Sequence, residues 1–176
     1  MFDMKGVIAA CISELVKAKF GEDKWKNILR RSGLDENLTV TSMSDIEDKT
    51  IFSIVDSICK ELNVPKQTVC DEFGAYWVNT YAKRIYGAYY MNIKSAKDFI
   101  LKMDEIHVKT TKNIANSRPP RFDIEHVNDN TIIVTYKSSR NMIDFYIGLV
   151  KGVGIYFKKT IGIKKISEQK VQLTFD

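Results

Sequence analysis

The chemistry open to this chain is suggested first by one of its two histidines, His107. On a helix, His107 shares an apolar stripe with Phe99, Ile100 and Met103, whereas lysines and a glutamate occupy the opposite stripe. A core-facing imidazole is usually neutral, and it is either bonded to a backbone carbonyl or offered to a metal. The stripe carries no second metal ligand, which disfavours zinc, and a single imidazole suits haem because the porphyrin supplies four nitrogens. Taken alone, the histidine favours the structural interpretation, and haem ligation stays open as the alternative.

A second candidate group is formed by Tyr136, Ser138 and Arg140. In an extended segment these alternate residues face the same way. Two hydroxyl groups and a planar guanidinium can all donate hydrogen bonds to a carboxylate. The pattern predicts an anion clamp made of these three residues, although a short polar run of this kind is also typical of a strand that ends in a turn.

The elements that must position these residues are helical in the first part of the chain, where apolar residues recur at helical spacing. Each predicted helix has an apolar stripe, a start signal or both. The five helices are Val7–Phe20, a short one around Trp25–Leu29, one opened by a capping box at Ser44–Glu47, one that starts at Pro65 and runs through Trp77, and one capped by Ser95 that runs to about Asn116.

The periodicity changes after Pro119-Pro120, where β-branched residues and alternation predict strands. The expected order is a hairpin, a long sixth helix and two further strands: Arg121–Val127, Thr131–Lys137, Met142–Phe157, Thr160–Ile166 and Lys170–Phe175. The class is therefore α+β, with a helical half at about 1–117 and a small antiparallel sheet with one long packed helix at about 118–176. Because no linker separates the halves, we expect residues 1–176 to form a single domain.

Composition excludes several classes of protein. The net charge of +5 is dispersed, so nucleic-acid binding is disfavoured. No apolar run reaches the length of a membrane span and no signal-peptide layout is present, so we expect no membrane contact and a cytoplasmic location. The three cysteines are odd in number and lack CxxC spacing, which disfavours a disulfide framework and a zinc site and suggests a reducing compartment.

Several short motifs occur in a specific order along nearly the whole chain. They are Met4–Ile8, Met103–His107, Pro119–Arg121, the anion clamp and Asp144–Leu149. In this order and spacing they resemble the haem nitric oxide/oxygen binding domain, H-NOX, which is also the sensory domain of soluble guanylate cyclase.

The resemblance implies haem b between the two halves, with His107 as the proximal axial ligand of the iron. It implies that Tyr136, Ser138 and Arg140 bind the haem propionates. It also implies that Pro120 presses on the porphyrin, that Ile8 packs on the other side of the bent ring, and that Tyr81 lies near the proximal face.

The same resemblance implies which gases bind. The positions that match the distal gas pocket are Ile8, Ile12, Trp77, Phe145 and Leu149. Oxygen-binding members of the family place a tyrosine five positions after the clamp arginine, and Phe145 stands there without a donor. Tyr146 is displaced by about 100° around the helix. We therefore expect nitric oxide and carbon monoxide to bind and oxygen to be excluded, unless the indole N–H of Trp77 reaches the ligand.

The implied function is that of a non-enzymatic gas sensor, in which nitric oxide breaks the bond between iron and His107 and the haem flattens against Pro120 and Ile8. One alternative is a haem enzyme of the peroxidase or oxygenase type, which would need a distal acid or base. Another is a redox-sensing interaction domain, which would need a reactive thiol among the cysteines.

A sensor also needs an output, and the chain carries none of its own. Bacterial relatives of the family stand alone beside a signalling enzyme or at the N-terminus of a longer receptor. The expected partner is a signalling output domain or protein, such as a chemotaxis receptor, a histidine kinase or a cyclase. The chain stops directly after a predicted strand at Asp176, so it is also expected as the N-terminal part of a longer chain, the cytoplasmic sensory domain of a larger receptor.

Overall fold

The computed structural model describes residues 4–112 and 118–176 and separates them into two units. Residues 4–69 form the first unit, and residues 70–112 together with 118–176 form the second. The helix that carries His107 thus belongs to the same unit as the sheet. That residues 1–176 act as one domain stays a prediction.

The first unit is helical, as its apolar spacing predicted. Its helices are α1 (Met4–Phe20), α2 (Glu22–Arg31) and α3 (Asp48–Leu62). The predicted apolar faces supply the core, because the side chains of Trp25, Ile28 and Leu29 on α2 and of Ile51, Ile54 and Val55 on α3 are all buried.

The predicted capping box at the start of α3 is wrong. The helix begins at Asp48 after Glu47, whose side chain makes no capping bond. The hydroxyl of Ser44 instead accepts the N–H of Thr41 at 2.9 Å, and the N–H of Ser44 donates to the carbonyl of Thr41 at 3.1 Å. Serine competes for local backbone bonds in turns as readily as at helix starts, so the same residues closed a turn.

The helices α4 (Lys66–Tyr76) and α6 (Ala96–Thr111) are joined by short helical pieces that periodicity did not predict. A π turn follows α4 over Trp77–Tyr81. It is followed by the short helix α5 (Ala82–Tyr86) and by a 3₁₀ turn over Gly87–Tyr89. The predicted cap of α6 is confirmed, since Ser95 Oγ accepts the N–H of Asp98 at 3.0 Å. The expected extension to about Asn116 lies largely outside the described residues.

The second unit contains the predicted antiparallel sheet and long helix. Its strands are β1 (Arg121–His126), β2 (Thr131–Lys137), β3 (Ile161–Lys165) and β4 (Lys170–Phe175), and they lie in the order β1-β2-β4-β3. Helix α7 (Ile143–Phe157) connects β2 to β3 and packs on the sheet through Tyr146, whose ring contacts Phe122 and Tyr136. The predicted α+β class is thereby confirmed. Within the two described ranges, no helix combines the length and the apolar character needed to cross a membrane.

Helices α4 and α7 touch backbone to backbone at three glycines. A Cβ atom on Gly148 would overlap the carbonyl of Cys70, and one on Gly74 would overlap the backbone of Gly148. A Cβ atom on Gly152 would likewise overlap the carbonyl of Gly74. Only glycine permits so close an approach, so this glycine crossing fixes α7 against α4.

We predict that Gly148→Ala lowers the free energy of unfolding by about 1–3 kcal/mol, because the added methyl group must push two backbones apart. Urea unfolding followed by circular dichroism measures the change. Gly87→Ala is the matched control, since Gly87 has a helical φ of −54° and no atom within 4 Å of the new methyl group. Equal unfolding midpoints for the two variants would contradict the crossing as described.

Candidate functional site

The imidazole of His107 is half-buried on α6, and its Nδ1 atom is closed off from solvent with no hydrogen-bond partner among the described residues. The ring stacks on Phe122, with 5.5 Å between ring centroids. Burial lowers the pKa of His107 to about 4, and Asp104 only partly opposes this effect. The ring is therefore neutral at pH 7, the form in which imidazole binds a metal. A purely structural histidine would donate or accept a hydrogen bond, for example with a backbone carbonyl, and no such bond is present at Nδ1 among the described residues.

Asp104 ties α6 to the start of β1. Arg121 donates from Nε and Nη2 to the two carboxylate oxygens of Asp104 at 2.8 and 2.7 Å. The N–H of Phe122 adds a third bond of 2.9 Å to Asp104 Oδ1. The guanidinium beside it holds the pKa of Asp104 below its usual range. In this Asp104–Arg121 fork, Asp104 lies about one helical turn before His107, and Arg121 directly follows Pro120, which is buried. Both fork residues stand within quoted sequence motifs, yet their pairing was not predicted, because charge alone does not tell which partners meet.

An aromatic cluster extends from His107 toward the sheet through Phe122. Phe122 contacts Tyr136 and Tyr146 at ring-centroid distances of 5.7 and 5.0 Å, and the two tyrosines stack at 5.9 Å. Tyr146 is 2% exposed, and burial raises the pKa of its hydroxyl. That hydroxyl has no hydrogen-bond partner within the described chain. Two unpaired polar atoms, Nδ1 of His107 and the hydroxyl of Tyr146, therefore flank one phenylalanine.

The anion clamp has a different backbone from the one expected. Strand β2 ends at Lys137, so Tyr136 lies on the strand whereas Ser138 and Arg140 lie in the turn before α7. Ser138 Oγ accepts the N–H of Arg140 at 3.2 Å, which closes this turn. The expectation that alternation along one strand aligns all three side chains is therefore wrong. All three residues lie at or near the junction between β2 and α7.

Two residues of the predicted gas pocket meet in a second aromatic group, which lies on the α4 side of α7. Phe145 contacts Phe73 edge to face at 5.1 Å, and Phe73 contacts Trp77 at 5.6 Å. Trp77 stacks in turn on Tyr81 at 5.5 Å, and the guanidinium of Arg84 lies 5.2 Å from the ring centre of Tyr81. Phe73 was not predicted as a site residue, because an apolar residue on a helical stripe gives no signal beyond core packing.

The remaining predicted pocket residues lie on α7 and α1. Leu149 is half-buried on α7 in the second unit. Ile8 and Ile12 lie on α1 in the first unit, where Ile8 is half-buried and Ile12 is 2% exposed. That these residues share one pocket stays a prediction.

The side chains near His107 that could bind a metal limit the kind of cofactor that the site can hold. Over residues 4–112 and 118–176, no three histidine, cysteine or carboxylate side chains gather in a way that could hold a bare ion. One neutral imidazole whose Nδ1 has no partner among the described residues fits a group that brings its remaining ligands with it, as a porphyrin does. The residues present therefore fit haem.

Comparison with known proteins identifies relatives in sequence. A family model described as Haem-NO-binding matches residues 5–165. The soluble guanylate cyclase gcy-32 of Caenorhabditis elegans is 29% identical over 155 residues, and gcy-34 of the same organism is 30% identical over 158 residues. Each match covers 85% of this chain and 22% of the cyclase. The chain thus spans less than a quarter of the relatives that it matches.

Solved structures agree in fold. A mutant of Cs H-NOX that carries an unnatural amino acid aligns with a TM-score of 0.86 and 23% identity, covering 97% of this chain and 96% of that one. An oxygen-binding H-NOX domain related to soluble guanylate cyclases aligns with a TM-score of 0.81 and 24% identity, covering 98% and 95%. At such identities the likeness establishes the fold alone.

We predict that the chain without cofactor loses about 2 kcal/mol of stability between pH 7 and pH 5 through His107. The pKa of His107 in the folded chain, about 4, is below the ordinary 6.5, so the unfolded chain takes up the proton first. Stability is therefore complete above pH 6.5 and declines as the pH falls toward 4. Urea unfolding at several pH values measures this decline.

His107→Gln removes the titrating group and should flatten this pH dependence. His126→Gln, at the exposed second histidine, should leave it as in the wild type. A slope that survives in His107→Gln would show that another group causes it.

Proposed function

Because the chain belongs to the haem-NO-binding family, a family of haem-based gas sensors related to those of guanylate cyclases, we propose that it binds haem b and senses nitric oxide and carbon monoxide. The observation that best supports this is the neutral imidazole of His107, whose Nδ1 has no partner among the described residues. The domain is proposed to be sensory and to catalyse no reaction. Catalysis by the cyclase relatives is not carried over, since the chain matches 22% of their length.

Eleven residues are proposed to form the site, and they divide by role. His107 would hold the haem iron, the anion clamp would bind the propionates, and Pro120, Ile8 and Tyr81 would contact the porphyrin. When bound, ferrous haem supplies an open coordination position for a diatomic gas. Ile8 also belongs to the proposed distal pocket, together with Ile12, Trp77, Phe145 and Leu149.

The proposed gas preference depends on the absence of a hydrogen-bond donor at Phe145. Bound oxygen needs such a donor, whereas nitric oxide and carbon monoxide bind without one. Phe145 has none, and its ring packs on Phe73. The hydroxyl of the next residue, Tyr146, belongs to the other side of α7, where it is buried beside Phe122 and Tyr136. Adjacent residues thus serve separate clusters, which supports the exclusion of oxygen.

In the proposed signal, His107 would link the haem iron to α6, and nitric oxide would act on that link. Among the described ring contacts, the imidazole of His107 stacks on Phe122. Its helix α6 is joined to β1 through the Asp104–Arg121 fork, so a shift of α6 is passed directly to the edge strand of the sheet and to Pro120. A structural element with two arrangements, biased by a ligand, is what a molecular switch requires.

The two alternatives are disfavoured by specific residues. A haem peroxidase or oxygenase needs an acid or base near the iron, and Phe145 and Leu149 offer neither. A redox sensor needs an acidic, accessible thiol. Cys11 and Cys70 are buried. The pKa of the Cys59 thiol is raised, mainly by burial and also by the negative charge of Asp56.

The proposed partner is a signalling output, either a cyclase domain, as the nematode relatives suggest, or a chemotaxis receptor or histidine kinase. A place in the cytoplasm, as part of a larger receptor, is part of the same proposal.

We predict that His107→Gly reduces the haem content of the purified protein by about tenfold or more and that added imidazole restores it. The ultraviolet–visible spectrum measures haem content and coordination. His126→Gly should bind haem as the wild type does. A normal spectrum in His107→Gly without imidazole would refute the assignment of the ligand.

We predict that the ferrous, haem-loaded protein forms no lasting complex with oxygen in air, but does bind nitric oxide and carbon monoxide. Phe145→Tyr adds a donor and should lengthen the life of an oxygen complex by about tenfold, since one hydrogen bond contributes about 1.4 kcal/mol. Stopped-flow spectroscopy follows its decay. Tyr146→Phe is the control and should leave the lifetime of the oxygen complex unchanged. A stable oxygen complex of the wild type would overturn the proposed gas preference.

A further inference from the structure

The helix that begins as α4 changes its hydrogen bonding after Tyr76, where one π turn follows over Trp77–Tyr81. At its end, Ala82 donates its N–H to the carbonyl of Trp77, five residues earlier instead of four. Such a turn adds one residue to the helix and occurs frequently at functional sites. Its first and last residues, Trp77 and Tyr81, are both residues of the proposed site.

Asn79 lies at the centre of this turn and is half-buried. Its Nδ2 donates to the carbonyl of Ala75 at 2.9 Å, within the same helical segment. The same nitrogen donates to the carbonyl of Gly152 on α7 at 3.1 Å. The two protons of one amide therefore have separate tasks, since one stabilises the π turn and the other ties it to α7.

The hydrogen bond from Asn79 to Gly152 attaches the π turn to a closely packed part of α7. Gly152 belongs to the glycine crossing, where it stands in backbone contact with Gly74. Two helices in direct backbone contact have little freedom to slide, so the amide of Asn79 fixes the π turn against α7. Gly152 also follows Leu149 by three residues, which places it one turn along the same helix face.

We propose that Asn79 is a positioning residue that sets the gas preference of the site by holding Trp77 in place. This inference rests on the proposed function. Of the residues assigned to the distal pocket, Trp77 alone carries a hydrogen-bond donor. Its indole packs against Tyr81 and Phe73 at ring-centroid distances of 5.5 and 5.6 Å. Under this proposal, that packing keeps the indole N–H away from the gas ligand. Loss of the tie to α7 loosens the π turn and lets the indole donate.

The consequence is chemical selectivity from a residue that does not touch the ligand. Carbon monoxide and nitric oxide bind ferrous haem without a donor, whereas oxygen is stabilised by one. Asn79 therefore excludes oxygen by a second route, independent of the missing hydroxyl at Phe145.

Two variants separate the two bonds of Asn79. Asn79→Leu has a similar volume and no donor, so it removes both bonds. Asn79→Ser keeps a donor that reaches the carbonyl four residues earlier, as serine does within helices, but it is too short to reach α7. Thr80→Ala, at an exposed residue of the same turn, is the matched control.

The first measurement uses the chain without haem. In a Trp25→Phe background Trp77 is the single tryptophan, because the chain contains two. Both Asn79 variants should shift the emission of Trp77 to longer wavelength and steepen its quenching by acrylamide, and Thr80→Ala should do neither. Circular dichroism checks that each protein is folded, and Asn79→Ser carries the test should Asn79→Leu fail to fold.

The second measurement uses the haem-loaded protein with carbon monoxide, whose C–O stretching band moves to lower frequency when a donor approaches. The wild type should show one band, and each Asn79 variant should show an added band at lower frequency together with a longer-lived oxygen complex. Unchanged Trp77 emission and an unchanged single band in both variants overturn the inference. A wild type that takes up no haem refutes the proposed function instead, and the emission of Trp77 then still decides whether Asn79 positions it.

Discussion

Direct backbone contact between α4 and α7 is the constraint on which the second unit depends. Because Gly74, Gly148 and Gly152 leave no room for side chains at the crossing, the rotation of α7 about its own axis is fixed there. Phe145 then points to the α4 side, where it meets Phe73, and Tyr146 points to the sheet, where it meets Phe122. The separation of the aromatic group around Phe73 from the one beside His107 follows from that rotation.

The electrostatics around His107 follow from how the nearby carboxylate of Asp104 is used. Asp104 lies on the same helix as His107, and a free carboxylate there would favour the protonated imidazole. Its two oxygens are instead occupied by Arg121 and by the N–H of Phe122. Burial therefore outweighs the carboxylate, and the imidazole stays neutral. One ion pair thus both joins α6 to β1 and leaves the histidine in the form that binds a metal.

The sequence predicted those features that depend on residue periodicity. The structure contains each feature that a local pattern predicted: the apolar stripe of His107, the Ser95 cap, the hairpin and α7. It did not predict features that depend on a shift of hydrogen bonding by one residue. The π turn over Trp77–Tyr81 is defined by its hydrogen bonds and not by a residue pattern, so neither it nor the role of Asn79 could be predicted.

Of the candidate site, periodicity placed His107 correctly on a core-facing helix. It failed for the anion clamp, because alternation predicts direction only while the strand continues, and β2 ends at Lys137. The partners of Asp104 and of Asn79 lie 17 and 73 residues away in sequence, and no local pattern carries that information. Tertiary pairing of polar side chains is therefore what the structure added.

The Asp104–Arg121 fork differs from the glycine crossing in how it responds to the solution. The side chain of Arg121 is 57% accessible and that of Asp104 is 25% accessible, so dissolved ions reach the pair. Exposed ion pairs weaken as ionic strength rises, whereas close packing of uncharged backbones does not. Salt therefore acts selectively on the connection between the histidine helix and the sheet. In concentrated salt, the histidine helix would therefore be joined to the sheet more loosely, while the packing of α7 on α4 would stay the same.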